Sequence, residues 1–244
     1  MLYVMVMFQM ARFFTLVLTL VAATFAADVE QTSSGDLTIT PIRHGTVMLD
    51  FEGKTWYIDP WSQAPNLDTL PKADVILITD IHGDHMDPAA IAAVRKDSTV
   101  IIAPPAVVQT ITEATALSNG ASTTLHGVNI EAIPMYNLKR GPQPGTLFHD
   151  KGRGNGYVLT MGGKRVYFSG DTEAIDEMRA LRNIDIAFVC MNLPYTMPPE
   201  EAAEGVLGFH PTVVYPYHYR GSDLAIFSKA LEGHPIEIRL REWY

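Results

Sequence analysis

The chain has 244 residues, a formal charge of −9 and 47% hydrophobic residues, enough to bury the core of one α/β domain. An acidic chain with no basic run excludes nucleic acid as the main partner. The single cysteine, Cys190, excludes an internal disulfide, and its place in the apolar run IDIAFVCM makes it a packing thiol rather than a nucleophile.

Residues 1–26 carry one charge, Arg12, then the apolar run Phe13 to Ala23 and a small-residue exit ending at Ala26. This is the pattern of a secretory signal peptide cut near Ala26, and the run is shorter than the ~20 residues of a membrane span. Starting at Met10 gives a more compact version of the same pattern. The alternative is an uncleaved anchor, helped by the apolar stretch LYVMVMF. The expected product is a single domain, residues 27–244, periplasmic or secreted and without a stable membrane span. Loss of Arg12 takes its charge from −9 to −10. The stretch DVEQTSSGD that follows reads as a mobile lead-in.

Alternating and apolar runs then predict the elements in order. LTITPIRHGTVMLDF and KTWYIDP are early strands joined by a hairpin turn at Glu52-Gly53. ADVILIT is a buried strand by its length and β-branched content. DPAAIAAVRK is a helix capped by Asp87 with Pro88 in its first turn. STVIIA is a strand, AVVQTITEATAL a helix that stops near Asn119-Gly120, and VNIEAIP a strand. A Gly/Pro-rich segment, 138–156, interrupts the pattern. The strands GYVLTM and RVYFSG come next, then the helix EAIDEMRALR, the strand IDIAFV, the helix PPEEAAEGVLG, the strand TVVYPY, the helix DLAIFSKALE and the strand IEIRL. Each half opens on strands and closes on strand–helix alternation. That order predicts two packed sheets with helices outside, a four-layer α/β/β/α sandwich. A doubly wound single sheet fits the early hairpins poorly.

Ligand-type side chains gather where strands end. Asp80, His82, Asp84 and His85 lie just beyond VILIT, and Gly83 lets neighbouring side chains turn in different directions. Asp171 follows RVYFSG, His218 ends TVVYPY, Asn137 follows VNIEAIPM, and His149 sits in the loop beyond. Carboxylates and imidazoles are the donors that divalent metals take from proteins. Loops at the ends of rigid strands are common places for catalytic groups.

The series DIHGDH, SGDT and YPYHY resembles the metallo-β-lactamase-fold hydrolases, whose pattern is His-x-His-x-Asp-His followed by a lone His, a bridging Asp and a last His. Within that superfamily it resembles the branch that contains ascorbate-6-phosphate lactonase. RHGTVMLDFEGKTWYIDPW matches that branch's opening and YTMPPEEAAE its closing part, so the likeness spans roughly residues 37 to 220. The resemblance implies a hydrolase with one or two divalent ions, Zn or Mn with Fe as a further option, held by Asp80, His82, Asp84, His85, Asp171 and His218. Asp84 would orient the nucleophile. Two departures stand out. Asp80 replaces the first histidine of the motif, and Asn137 stands where the lone histidine is usual, so His149 becomes a substitute ligand only if its loop folds inward. More oxygen donors in the first site would shift its preference from zinc toward manganese or iron(II).

Other readings stay open at this stage. His44 is either an orienting residue or a turn histidine, and Asp59 either supports a ligand from behind or starts an Asp-Pro turn. Tyr195 either lines the pocket or packs. Lys139, Arg140, Lys151 and Arg153 in the Gly/Pro-rich segment are expected to form a cationic lid for a small, anionic substrate. Lactone, ester, amide and phosphodiester substrates are all compatible. The rival is a metal- or ligand-binding protein of the same fold without turnover.

Overall fold

The computed structural model describes residues 26–244, so the predicted signal peptide, apart from Ala26, lies outside the described residues. Among those described, no helix is long and apolar enough to cross a membrane. The first sheet takes seven strands in sequence order: β1 (Asp28–Thr32), β2 (Gly35–Arg43), β3 (Thr46–Phe51), β4 (Lys54–Ile58), β5 (Val75–Leu77), β6 (Val100–Ala103) and β7 (Thr115–Ala116). The second runs β8 (Ser122–Leu125), β9 (Val128–Met135), β10 (Gly154–Met161), β11 (Lys164–Phe168), β12 (Ile186–Cys190), β13 (Val213–Tyr217) and β14 (Glu237–Ile238). Early strands pair antiparallel in both sheets. β4 to β7 and β11 to β14 pair parallel, so their carboxyl ends point one way within each sheet.

The period-2 alternation of side chains separates the layers. Val47, Leu49, Trp56, Ile58, Val75 and Leu77 face inward, against Val128, Ile130, Tyr157 and Val166 of the second sheet. The intervening Met48, Tyr57, Ile76 and Ile101 face outward, beneath α1 (Pro88–Val94) and α2 (Pro105–Val108). On the far side α3 (Asp176–Arg179) and α4 (Pro199–Phe209) cover the second sheet through Met178, Ala202 and Val206, and Phe227 of α5 (Leu224–Ala230) joins the same core. The result is the four-layer sandwich that the element order predicts.

Several local expectations change. The stretch read as a mobile lead-in is β1, which pairs with β2 from Asp28 opposite Ile39 to Thr32 opposite Gly35. Residues 37–51 are two strands, because His44-Gly45 turns the chain, with His44 at φ 56°. The helix expected over 106–117 is one turn, α2, followed by β7. Val107, Val108, Thr110, Ile111, Thr112 and Thr115 are β-branched and weaken a helix there. The helix expected over 173–182 shrinks to α3 because Glu173 is drawn out of it to accept from the Arg140 N–H at 2.9 Å. The strand expected over 236–240 is the two-residue β14, and β8 was not anticipated. The Glu52-Gly53 turn is as expected, with φ 48° and 70° as a two-residue hairpin loop requires.

Strand ends converge at one edge of the sandwich. There Gly170 holds φ 59°, and a Cβ on it would stand 2.5 Å from Met135 Sδ and 3.1 Å from the Asn155 carbonyl oxygen. Gly156 on β10 is equally confined, since a Cβ there would stand 2.8 Å from the Phe168 carbonyl oxygen. Chain crossings this tight fix where Asp171 emerges from β11. Gly170→Ala therefore combines left-handed strain with overpacking and is expected to destabilise the fold by about 1–3 kcal/mol in denaturant unfolding. An unchanged unfolding midpoint would contradict this account of the β11 exit.

Candidate metal centre

Three elements position the ligand-type side chains. After β5 the chain crosses Asp80 to His85 and re-enters helix at α1, whose N-terminus is capped by Asp87 accepting from the N–H groups of Ala89 (3.0 Å) and Ala90 (3.1 Å). β11 delivers Asp171, and β13 delivers His218, whose N–H donates to the His44 carbonyl at 3.0 Å.

Asp171 is the centre of the arrangement. Its Oδ2 lies 3.4 Å from His85 Nε2 and 3.4 Å from His149 Nε2, and its Oδ1 lies 3.5 Å from His218 Nε2. On one side His82 Nδ1 stands 2.9 Å and His149 Nε2 3.9 Å from Asp80 Oδ2. On the other, Asp84 places Oδ1 3.8 Å from His85 Nε2 and Oδ2 3.4 Å from His218 Nε2. Atoms ~2.1 Å from one tetrahedral metal stand about 3.4 Å from each other, and the separations cluster around that value. The buried Nε2 atoms of His85, His149 and His218 and Oδ1 of Asp171 have no hydrogen-bond partner. Unpaired buried polar atoms are costly, so four of them aimed at common points fit cations. Three overlapping groups, Asp80-His82-His149, His85-Asp171-His218 and His44-Asp84-His218, could hold a metal.

The electrostatics agree. Burial pushes the Asp171 carboxyl upward, but His218, His85 and His149 hold it well below the carboxylate range. Burial opposes charge on His85, yet Asp171, Asp59 and Asp84 raise it well above the imidazole range, which marks the spot as strongly attractive to positive charge. For Asp80, burial acts upward while His82, His85, His149 and Arg153 bring it to about 2.

Several ligand-type groups are held from behind, whereas the buried Nδ1 of His218 has no hydrogen-bond partner. His85 Nδ1 lies 2.8 Å from Asp59 Oδ2, and Asp59 also accepts from the Thr79 N–H at 2.8 Å and its hydroxyl at 2.5 Å. Asp59 therefore orients His85, as one of its two sequence readings proposed. Both oxygens of Asp80 accept from Arg153, at 3.0 Å each. His44 faces Asp84 Oδ2 at 3.0 Å and is buried, which pulls its imidazole down to about 4 against the opposing effect of Asp84. Cys190 is buried, with its thiol pushed up to about 12 by burial and by Asp171, consistent with packing.

The condition set on His149 is met, since its loop folds inward, whereas Asn137 is not available as a ligand. Asn137 Oδ1 accepts the His149 N–H at 2.8 Å and faces His149 Nδ1 at 2.7 Å, while its amide donates to Glu173 Oε1 (3.2 Å) and the Tyr195 carbonyl (2.9 Å). Asn137 thus orients His149. The cationic lid is also absent as imagined. Lys139 pairs with Glu201 (3.3 Å), Arg140 with Glu201 (2.8 Å) and Glu173 (3.3 Å), Lys151 with Glu177 (2.7 Å), and Arg153 with Asp80. Their charge is spent on local carboxylates.

A cavity of about 270 Å³ opens onto the centre between His82, Asp84 and His149, with Phe148, Tyr195 and Arg220 on its walls. A larger hollow of about 690 Å³ lies beside Arg43 and Leu240 and carries none of these ligand-type groups. Glu173, Arg220 and Tyr244 were missed from sequence. Glu173 had a weak signal, as an acid two places after Asp171 and next to an apolar pair, whereas the other two had none. Asn137→Ala should weaken metal binding about 10- to 100-fold, the usual effect of losing a group that orients a ligand. Competition against a chromogenic chelator measures this, and wild-type affinity would show that His149 needs no support.

The profile of the Beta-lactamase superfamily domain matches residues 38–218. A metal-dependent hydrolase of Geobacillus thermodenitrificans is 31% identical over 195 residues, covering 72% of this chain and 82% of that protein. One from Deinococcus radiodurans is 28% identical over 84% of this chain and 96% of its own length. The crystal structure of a protein from Parabacteroides distasonis, named as a metal-dependent hydrolase, superposes with TM-score 0.86 at 43% identity, covering 91% of this chain and 100% of that one. A metallo hydrolase from Ignicoccus hospitalis shares the fold, with TM-score 0.71 at 22% identity over 84% of this chain and 95% of its own. With its site at the strand ends and its sheets in four layers, the chain belongs to the β-lactamase superfamily and is a metal-dependent hydrolase of the metallo-β-lactamase fold.

Proposed function

We propose that the protein is an exported hydrolase of small anionic lactones, esters or phosphoesters, with Asp80, His82, His149 and Asp171 around one ion and Asp84, His85, His218 and Asp171 around a second. The observation that carries this reading is Asp171, whose two oxygens face imidazoles of both groups at 3.4 to 3.5 Å. With His149 in place, each group supplies two imidazoles and two carboxylates. That donor set suits Zn²⁺, Mn²⁺ and Fe²⁺ alike and removes the expected bias of the first site against zinc. Bound divalent ions supply Lewis acidity, which makes water a competent nucleophile near neutral pH.

The chain's own groups do the rest. Asp84 is the most exposed of the ligand-type carboxylates, with 31% of its side chain accessible, and it lines the cavity. From there it orients the attacking water and takes its proton. Phe148 and Tyr195, whose rings meet edge-on at 5.0 Å, form an apolar wall. Arg220 lines the same cavity and, among the described residues, makes no ion pair, unlike the four cations of the 138–156 segment. It is therefore the group available to an anionic substrate, and it takes over the role first expected of the lid. A cavity of about 270 Å³ falls below the ~300–1,000 Å³ of drug-sized sites, which favours a small substrate.

Export rests on the pattern of residues 1–26. In support, a cut near Ala26 leaves every strand of the described fold in place, the first being β1 from Asp28. Sequencing the amino terminus of the mature protein tests this, and an intact residue 1 would overturn it.

A panel of paired anionic and neutral chromogenic esters, lactones and phosphodiesters tests the activity. Asp84→Asn should lower kcat about 10²- to 10⁴-fold, the range for loss of a general base. Arg220→Gln should raise KM about tenfold for anionic substrates and leave neutral ones near wild type. Equal effects on both would remove the anionic class, and no turnover by fully metallated protein would favour a binding protein of the same fold.

A further inference from the structure

We infer that Tyr244, acting through His44, is a positioning residue for Asp84, so that the segment after β14 helps to build the metal centre. This rests on the reading of Asp84 as a metal ligand.

Residues 239–244 run from β14 back to the β2–β3 turn, where the His44 N–H donates to the Trp243 carbonyl at 3.0 Å. Trp243 is buried, with its ring centroid 6.0 Å from that of Tyr217 and 6.4 Å from that of Phe188, so the segment is anchored in the core. That anchoring sets the Tyr244 hydroxyl 2.7 Å from His44 Nδ1. The same hydroxyl accepts the Arg220 N–H at 2.9 Å.

The hydrogen-bond inventory then fixes the direction of the chain. A tyrosine hydroxyl has one proton, and here it already accepts from a backbone amide. Nδ1 accepts the tyrosine proton, because the Asp84 carboxylate can only accept and so requires the ring's own hydrogen on Nε2. That hydrogen points at Asp84 Oδ2, 3.0 Å away. The opposite tautomer would set a lone pair against a carboxylate. Asp84 is therefore held through Oδ2 while Oδ1 remains free to face a cation. Since the His44 carbonyl also accepts the His218 N–H at 3.0 Å, one residue aligns two ligand-type groups. If the segment served only to bury Trp243, the Tyr244 oxygen would be dispensable.

Tyr244→Phe removes that oxygen alone. Competition of Zn²⁺ or Mn²⁺ against a chromogenic chelator should show its affinity for the more weakly held ion falling about tenfold, with a thermal midpoint near wild type. Tyr219→Phe deletes a hydroxyl in the same patch that donates to the Arg241 carbonyl at 3.3 Å, and it should bind metal as wild type does. In metal-free wild-type protein, nitrogen-15 shifts of the His44 ring should report the Nε2–H tautomer. Wild-type affinity in Tyr244→Phe, an equal loss in Tyr219→Phe, or an Nδ1–H tautomer of His44 would each overturn the inference. Protein that binds no metal but shows the Nε2–H tautomer would count against the metal centre while upholding the relay.

Discussion

A buried carboxylate facing three imidazole nitrogens, each left without a hydrogen bond, governs this molecule. Asp171 gives up hydration, which disfavours its charge, yet His218, His85 and His149 keep it ionised. Buried charge is tolerated only when compensated, and buried polar atoms are almost always partnered. The unpaired nitrogens at 3.4 to 3.5 Å from one carboxylate therefore make sense as a cradle for cations. The rest of the fold can be read as the means of holding that cradle rigid. Gly170 and Gly156 let β10 and β11 approach until Asp171 can emerge in only one place.

Around it, four of the ligand-type groups lean on residues from other elements. Asp59 beyond β4 holds His85, Asn137 beyond β9 holds His149, Arg153 in the loop before β10 grips Asp80, and His44 from the β2–β3 turn faces Asp84. Groups oriented in this way lose little freedom when a ligand arrives. The arrangement also explains the departures from the usual motif. An aspartate at position 80 is paired in both oxygens with a cation that the sequence assigned to the substrate. An asparagine at position 137 serves a histidine twelve positions later.

How much of this was legible follows the range of the interactions involved. The four-layer order could be read because alternating strands and capped helices are local patterns, with Asp87-Pro88 opening α1 and Glu52-Gly53 turning β3 into β4. His85, Asp171 and His218 could be picked out because each lies in the chain just beyond a strand, β5, β11 and β13. The inward fold of the His149 loop was not, since it depends on Asn137 and Glu173 meeting across separate loops. Nor was the pairing of Lys139 and Arg140 with Glu201, more than sixty residues away along the chain and adjacent only in the fold. Charge clusters in sequence show where cations are, and only the fold shows which of them are left unpaired.

On the proposed reading, Asp171 lies between two ions. Anomalous diffraction from crystals grown with Mn²⁺ or Zn²⁺ tests it most directly. Two peaks about 3.5–4 Å apart, one beside each oxygen of Asp171, are the predicted result. A single peak, or peaks remote from Asp171, would contradict the account.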